Sequence, residues 1–377
     1  MKTKFNIFII CFSLILISFA VKADFLKGVE AFNEKNYSSA FELWSESSKN
    51  GDLYSQLNLA LLYKHGLGVK QNYSKAFELL KSASSNGVPE AHYNLALFYY
   101  NGLGVKQNYA SARELFLISN KENVLGSNYY LGLIYLNALE VEKDINSSLN
   151  YFKIASDNNI PEAHCNLAFL YLEGMGVPQN YNEALKLFSL GADEGISDCQ
   201  NGLGWMYNNG IGVKKNLNQA IDWYELAAEQ KHKRAQYNLG VIFLNEKSIY
   251  EHTLTSLKWF SLAAEQEVPE AQYNLATIYF EGVGVVQNFS KAFEYFYKSS
   301  VNGFSMSQYK LSKMYLKGWG VEENKIKSFM WINIAASQGY RKGMEERDEL
   351  MKTLTDLEIK TGQKLSLDCF SKKFKDC

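Results

Sequence analysis

Three fragments of this chain carry residue types that could do hydrolytic chemistry. "SQYK" at Ser307–Lys310 has the spacing that puts a lysine amine one helical turn from a serine hydroxyl, and "SDN" at Ser156–Asn158 and "KTG" at Lys360–Gly362 are the companion elements of serine β-lactamases. That chemistry needs the nucleophile first in the chain, and here Ser-Asp-Asn precedes it. Ser307 also occupies a slot held elsewhere by Ala91, Ala163 and Ala271, a small residue of the kind packed between helices, and no strand is expected near Lys360. The five histidines, His65, His92, His164, His232 and His252, form no H-E-x-x-H pair. His92 and His164 share one register, close to Gln236 and Gln272, so they read as half-buried hydrogen-bonding residues. No cysteine pair has zinc-finger spacing. The sequence therefore predicts no catalytic residue, no metal site and no cofactor.

A glycine-rich turn before a helix can cradle phosphate, and "GLGVKQNYSKAFELL" from Gly66 has that outline. It lacks the Gly-Lys-Ser/Thr ending of a phosphate loop. It also recurs at Gly102, Gly174, Gly210, Gly282 and Gly318, at offsets from Gly66 of 36, 108, 144, 216 and 252. Two further slots of the same period, at Ala138 and Glu246, lack glycine but keep the spacing. A nucleotide site is needed once, whereas eight registers on one period describe a structural joint.

The period organises everything around it. A leucine recurs at Leu59, Leu95, Leu131, Leu167, Leu203, Leu239, Leu275 and Leu311, always followed by Ala, Gly or Ser. Apolar residues at i, i+4 and i+8, such as Ala91, Leu95 and Tyr99, mark a helical stripe. The first glycine of each turn suits a left-handed helix end, and the following Asn or Asp (Asn72, Asn108, Asp144, Asn180, Asn216, Asn288, Asn324; His252 in one repeat) suits the next N-cap. A second helix repeats a small slot and then a bulky one, at Phe116, Phe152, Phe188, Tyr224, Phe260 and Phe296. Two helices of this kind cannot bury their apolar faces alone, so the sequence predicts an all-α, right-handed solenoid of about eight 36-residue repeats.

Composition sets the remaining bounds. The 377 residues carry 39 basic and 40 acidic side chains, a balance that gives no reason to expect nucleic acid as a partner. "MKTK" followed by "FNIFIICFSLILISFAV" and "VKA" reads as a secretory signal over residues 1–23, cleaved after Ala23, with an uncleaved anchor as the alternative. Cys11 lies inside that apolar stretch behind Ile10 and reads as unlipidated. Export permits disulfides. Cys369 and Cys377 could meet if the tail folds back, while Cys165 and Cys199 read first as buried thiols, a bridge being the alternative.

This pattern, "A-x-x-N-L-G…Y-x-x-G-x-G-V…N…K-A…W…A-A…G" over roughly residues 30–340, resembles the Sel1-like repeat family, a relative of tetratricopeptide arrays. With a signal peptide and an all-repeat body, the chain further resembles exported Sel1-like proteins of intracellular Gram-negative bacteria such as Legionella. The resemblance implies a non-catalytic adaptor for host or envelope proteins. The expected layout is an N-terminal capping half-repeat over 24–52, the array over 53–339, and a charged capping helix with a basic tail over 340–377. A partner, a protein or extended peptide, is expected on the concave wall of a monomer lined by the first helices. The asparagines Asn58, Asn94, Asn166, Asn238 and Asn274 would either clamp peptide amides, or bond neighbouring repeats or cap local carbonyls. Leu97, Phe169 and Trp205 share a variable register and would anchor the partner or pack beneath the next helix. Trp319 is expected to be exposed. A periplasmic adaptor of envelope enzymes is the main alternative. Anionic-lipid or phosphoinositide contact through the basic tail, and a β-lactamase-like hydrolase, stand below it.

Overall fold

The computed structural model describes residues 19–245, 250–374 and Cys377, and no strand occurs among them. Most of the expected signal peptide, through Ser18, and the turn of the sixth repeat at 246–249 lie outside the described residues. The chain divides into two compact units, Met1–Leu190 and Gly191–Cys377.

The first unit contains α1 (Phe19–Asn33), α2 (Tyr37–Lys49), α3 (Leu53–His65), α4 (Tyr73–Ser85), α5 (Pro89–Asn101), α6 (Tyr109–Lys121), α7 (Gly126–Leu136), α8 (Ile145–Asp157), α9 (Pro161–Glu173) and the start of α10 (Tyr181–Asp193). After the end of α10, the second unit contains α11 (Ser197–Asn209), α12 (Leu217–Glu229), α13 (Lys233–Asn245), α14 (Tyr250–Glu265), α15 (Pro269–Glu281) and α16 (Phe289–Val301). It closes with α17 (Ser305–Lys317), α18 (Lys325–Ser337), α19 (Arg341–Met351) and α20 (Asp356–Ser371). Within each unit successive helices pack on one another, as the period requires. The chain is an all-α solenoid of repeats.

The small and bulky slots meet. A Cβ on Gly132, Gly204 or Gly240 would lie 2.6, 2.7 or 2.5 Å from the ring of Phe152, Tyr224 or Phe260, twenty residues further on. The first helix of each repeat thus rests on an aromatic side chain of its own second helix, and only a short side chain fits beneath it. In the second helix, serine replaces alanine at Ser148 and Ser256, and their hydroxyls donate to the carbonyls of Gly132 and Gly240 at 2.9 and 2.8 Å.

The turns explain the two glycines. Gly66 ends α3 at φ 67°, where it satisfies the Leu62 carbonyl. Gly68, two residues on, has a different reason: a Cβ there would lie 2.3 Å from the Tyr37 carbonyl oxygen, at the N-terminus of the preceding repeat's second helix. The capping asparagine then closes the loop from both ends. The Asn72 N–H donates to the Tyr63 carbonyl at 2.9 Å, and its Oδ1 accepts the Lys75 N–H at 3.0 Å. In the sixth repeat His252 lies inside α14 rather than at its cap.

Both ends of the array are more elaborate than expected. The N-terminal cap is a pair of helices, α1 and α2, and α1 runs through the expected cleavage point at Ala23. The charged segment after Gly339 is two helices rather than one. It breaks before Thr355, whose hydroxyl accepts the Glu358 N–H while the Glu358 carboxylate accepts the Thr355 N–H, a reciprocal cap that starts α20 afresh. The basic tail is anchored to the array, with Ser366 and Cys369 buried while Lys372 and Lys373 stay exposed. α20 packs on α18, with Gly362 against Phe329 and the Ser366 hydroxyl donating to the Met330 carbonyl at 3.2 Å.

Candidate interaction face of the first helices

The asparagine register is occupied by bonds within the scaffold. Asn94 and Asn166 donate to the carbonyls of Glu90 and Glu162 at 2.8 and 3.0 Å, one turn back on their own helices. Asn238 donates across to Asn201 Oδ1 at 3.2 Å, and Asn274 hydrogen-bonds Tyr237 on the neighbouring first helix. Asn58 is buried. Asn94, Asn166, Asn238 and Asn274 are partly exposed, and each retains a second polar atom beyond the bond named here.

The variable register splits. Leu97 is buried in a cluster with Phe116 and Leu131, because the second helix of its own repeat and the following first helix bring bulky residues to it. Phe169 and Trp205 are 39% and 36% exposed. Phe169 rests edge-on against Phe188 at 4.9 Å, which fixes its ring while leaving one side open to solvent. Trp319 is 37% exposed and packs on Phe280, with ring centres 5.2 Å apart.

One register carries more of the scaffold than its sequence suggests. Gln200, Gln236, Gln272 and Gln308 are buried, and each donates to the carbonyl eight residues earlier, on the preceding repeat's second helix (Ala192, Ala228, Ala264 and Ser300, at 3.1 to 3.4 Å). Their side-chain oxygens accept in turn from Gln230, Gln266 and Asn302 in the first three cases. This directed relay stitches each repeat to the one before it. His92 and His164 occupy the same register, as their place near Gln236 and Gln272 implied. His92 Nδ1 meets the Glu122 carboxylate at 3.0 Å, and His164 Nδ1 meets Ser156 Oγ at 2.7 Å. The thirty-residue offset of the donating partner was the signal available in the sequence.

That placement decides the fragments with hydrolase-like spelling. Ser156 of "SDN" is buried and bonded to His164 in a structural register, beside a recess of about 360 Å³ lined also by Lys153, Glu183 and Lys186. Ser307 is fully buried and bonds Ser299 Oγ at 2.6 Å, while Lys310 lies over the Phe280 ring. Lys360 sits in α20, a helix. Among the described residues no group of three or more His, Cys, Asp or Glu side chains could hold a metal, and no helix is long and apolar enough to cross a membrane.

Cys369 and Cys377 form a disulfide with Cα atoms 5.2 Å apart. Cys165 and Cys199 are buried, but the expectation of buried free thiols is wrong for both, since each is in the disulfide state.

Titration is perturbed mainly by burial. The Tyr93, Tyr100 and Tyr130 hydroxyls, in an aromatic cluster around Phe116, are pushed up by loss of solvent. Asp198 is held below the ordinary carboxylate value by the hydrogen bond from His232, at 3.1 Å.

A comparison with curated proteins finds no match. Similar solved structures include these two. One is a Sel1 repeat protein from Oxalobacter formigenes, 23% identical, with a TM-score of 0.57, spanning 64% of this chain and 99% of that one. The other is a protective antigen present in uropathogenic Escherichia coli strains, displaying an SLR fold, 24% identical, with a TM-score of 0.52, spanning 94% of this chain and 85% of that one. The family model for the Sel1 repeat matches nine segments, 27–52, 53–88, 89–123, 126–160, 161–196, 197–232, 233–268, 269–303 and 305–340, the first lying within the expected N-terminal cap. Proteins of this type are in general protein-interaction scaffolds without catalysis. The matched segments cover nearly all of the described helices and share the slots that build the helix pairs, so the chain belongs to the Sel1 repeat family.

Proposed function

We propose that the protein is an exported, non-catalytic adaptor that binds protein ligands on the face presented by its first helices. The observation that carries this reading is the exposure of Phe169 and Trp205 on the first helices, in a register whose residues vary along the array. Rigid aromatic side chains held partly open to solvent are the usual anchors of protein interfaces. The asparagines contribute their remaining polar atoms around such anchors, beside the bonds that orient them. Export is supported by the basic and apolar N-terminus and by the Cys369–Cys377 disulfide, a bond that persists in oxidising compartments. A role toward a host cell and a role toward envelope enzymes use the same surface.

Affinity capture from envelope extract and from host-cell lysate, with the native protein beside a Phe169→Ala/Trp205→Ala variant of equal helical content, tests the reading. A partner retained by the native protein and lost by the variant supports it, and the extract supplying that partner separates the two roles. Identical captures would refute the assignment of the face. Fractionation with N-terminal sequencing of the recovered protein tests export, and a chain retained in the cytosol with its N-terminus intact would refute that part.

A further inference from the structure

The face of the first helices changes character at α17. Lys310, Lys313 and Lys317 stand at i, i+3 and i+7, a spacing that places them on one side of the helix. None of the other seven first helices of the array carries lysine at any of these three registers. The three cations are not equivalent. Lys313 is ion-paired with Glu346 of α19, which also accepts the Tyr309 hydroxyl at 2.5 Å. Burial and the nearby Lys317 both lower the Lys313 amine below its ordinary value.

Lys310 and Lys317 have no carboxylate partner among the described residues. Glu281 occupies the Lys317 register one repeat earlier without forming an ion pair to it among those residues. Lys310 reaches over the Phe280 ring, 5.8 Å from its centre, and the exposed Trp319 packs on that same ring from the following turn. Trp319 also lies nearly parallel to Phe289, with ring centres 6.1 Å apart, so its orientation is fixed by two neighbours. The result is an exposed indole on a rigid aromatic base, with the Lys310 ammonium over the same base and Lys317 two residues before the indole in the chain.

We infer that α17 and the turn after it form a subsite for an extended acidic peptide segment, with Lys310 and Lys317 receiving two carboxylates and Trp319 receiving an apolar side chain. This rests on the reading of the chain as a protein-binding scaffold. Two lysines seven residues apart on a helix are separated by about 10 Å along its axis. A peptide in the extended polyproline II conformation advances about 3.1 Å per residue with three residues per turn, so carboxylates three positions apart lie on one face and span about 9 Å. The matching ligand has acidic residues at i and i+3 with an apolar residue beside them. Trp319 is 37% exposed and held against Phe280 and Phe289, so it offers part of one ring to an apolar side chain rather than a whole indole to a bilayer, which favours a peptide.

Fluorescence anisotropy with the full chain tests this. The probes are a labelled peptide with two glutamates three positions apart and a leucine between them, its diglutamine counterpart, and phosphatidylserine vesicles. Binding of the glutamate peptide is expected to weaken roughly tenfold in the Lys310→Ala/Lys317→Ala variant, the scale of two partly exposed charge pairs. It should also weaken in Trp319→Ala and on raising salt, and change less than about twofold in Lys313→Ala, whose amine is already paired. Circular dichroism of each variant controls for folding. Equal binding of the two peptides, an unaffected double-lysine variant, or binding to vesicles alone would overturn the inference. If no peptide binds while capture sensitive to Phe169→Ala/Trp205→Ala persists, the scaffold reading stands and this subsite falls. Loss of both would remove both.

Discussion

The Glu140 carboxylate accepts the backbone N–H of Ala110 at 3.0 Å, from a position where most repeats place glycine. Its backbone keeps the left-handed conformation of those glycines, at φ 51°, and Ala138 does the same at φ 54°. The third repeat therefore preserves the joint with residues that pay for it in strain. It recovers part of the cost at Glu140, where a negative charge meets the N-terminal turn of α6.

Ala138→Gly is expected to stabilise the protein by about 0.5–1 kcal/mol, because the left-handed conformation costs an L-residue about 1–2 kcal/mol and glycine returns only part of that as chain entropy. Glu140→Gly should gain less, since it also removes the bond to Ala110. Gly104→Ala, in the equivalent slot one repeat earlier, should destabilise, because its Cβ would lie 2.6 Å from the Tyr73 carbonyl carbon. Denaturant unfolding of the three variants checks the order, and a stabilising Gly104→Ala would refute the account of the joint.

The repeat itself was fully legible in the sequence, because every slot that sets the period is a packing or capping requirement repeated many times. Leu95, the small residue after it and the Asn108 cap need only local geometry to be understood. Gln236 was less legible. Its value depends on Ala228 and Gln266, one on another repeat and one thirty residues away, and only the folded pairing shows which of its atoms are used. Lys313 and Glu346 belong to the same class: the spelling of α19 gives no sign that one acid among several will pair with a lysine of α17.

Gln236→Leu is expected to destabilise by about 2 kcal/mol despite adding apolar surface. It removes one of two bonds to the Ala228 carbonyl, which keeps the Lys231 N–H at 2.9 Å, and takes the buried acceptor from the Gln266 amide, a loss of about 1–3 kcal/mol. Hydrogen exchange should show the loss concentrated between α12 and α15. A uniform or negligible change would mean that the glutamine register is incidental.

The Asp198–His232 pair makes a prediction with a definite sign. The Ala235 N–H donates to His232 Nδ1 at 3.1 Å, so in neutral imidazole the Nε2–H is the group that donates to Asp198. That bond lowers the Asp198 pKa, so its stabilising contribution is present above the ordinary carboxylate value and is lost as pH falls through the lower folded value. The Asp198 side chain is 67% exposed, and solvent screening keeps the contribution small. Asp198→Asn should lower stability slightly near neutrality and converge with the native protein in acid. Parallel stability curves down to about pH 2 would refute the linkage.

Cys377 closes the C-terminal cap, and its removal should act locally. Cys369 is 3% exposed in the cluster that contains Trp331 and Met314, with Phe374 and Cys377 packed against it. The disulfide folds the last residues back on the end of α20, where Phe374 and Cys377 cover the apolar cluster that Cys369 shares with Trp331 of α18. A cross-link closing a loop this short contributes about 2–3 kcal/mol through the unfolded state. Cys377→Ser should therefore cost about 2 kcal/mol, with early hydrogen exchange in α20 and the outer face of α18, while α1 to α9 exchange as before. Repeat arrays lose stability from the ends because a terminal unit has one neighbour instead of two. The variant should therefore fray from its C-terminus before the array melts. Unchanged protection of α20 in the variant would show that packing against Phe329 and Met330 suffices, and that the covalent staple adds nothing to the cap.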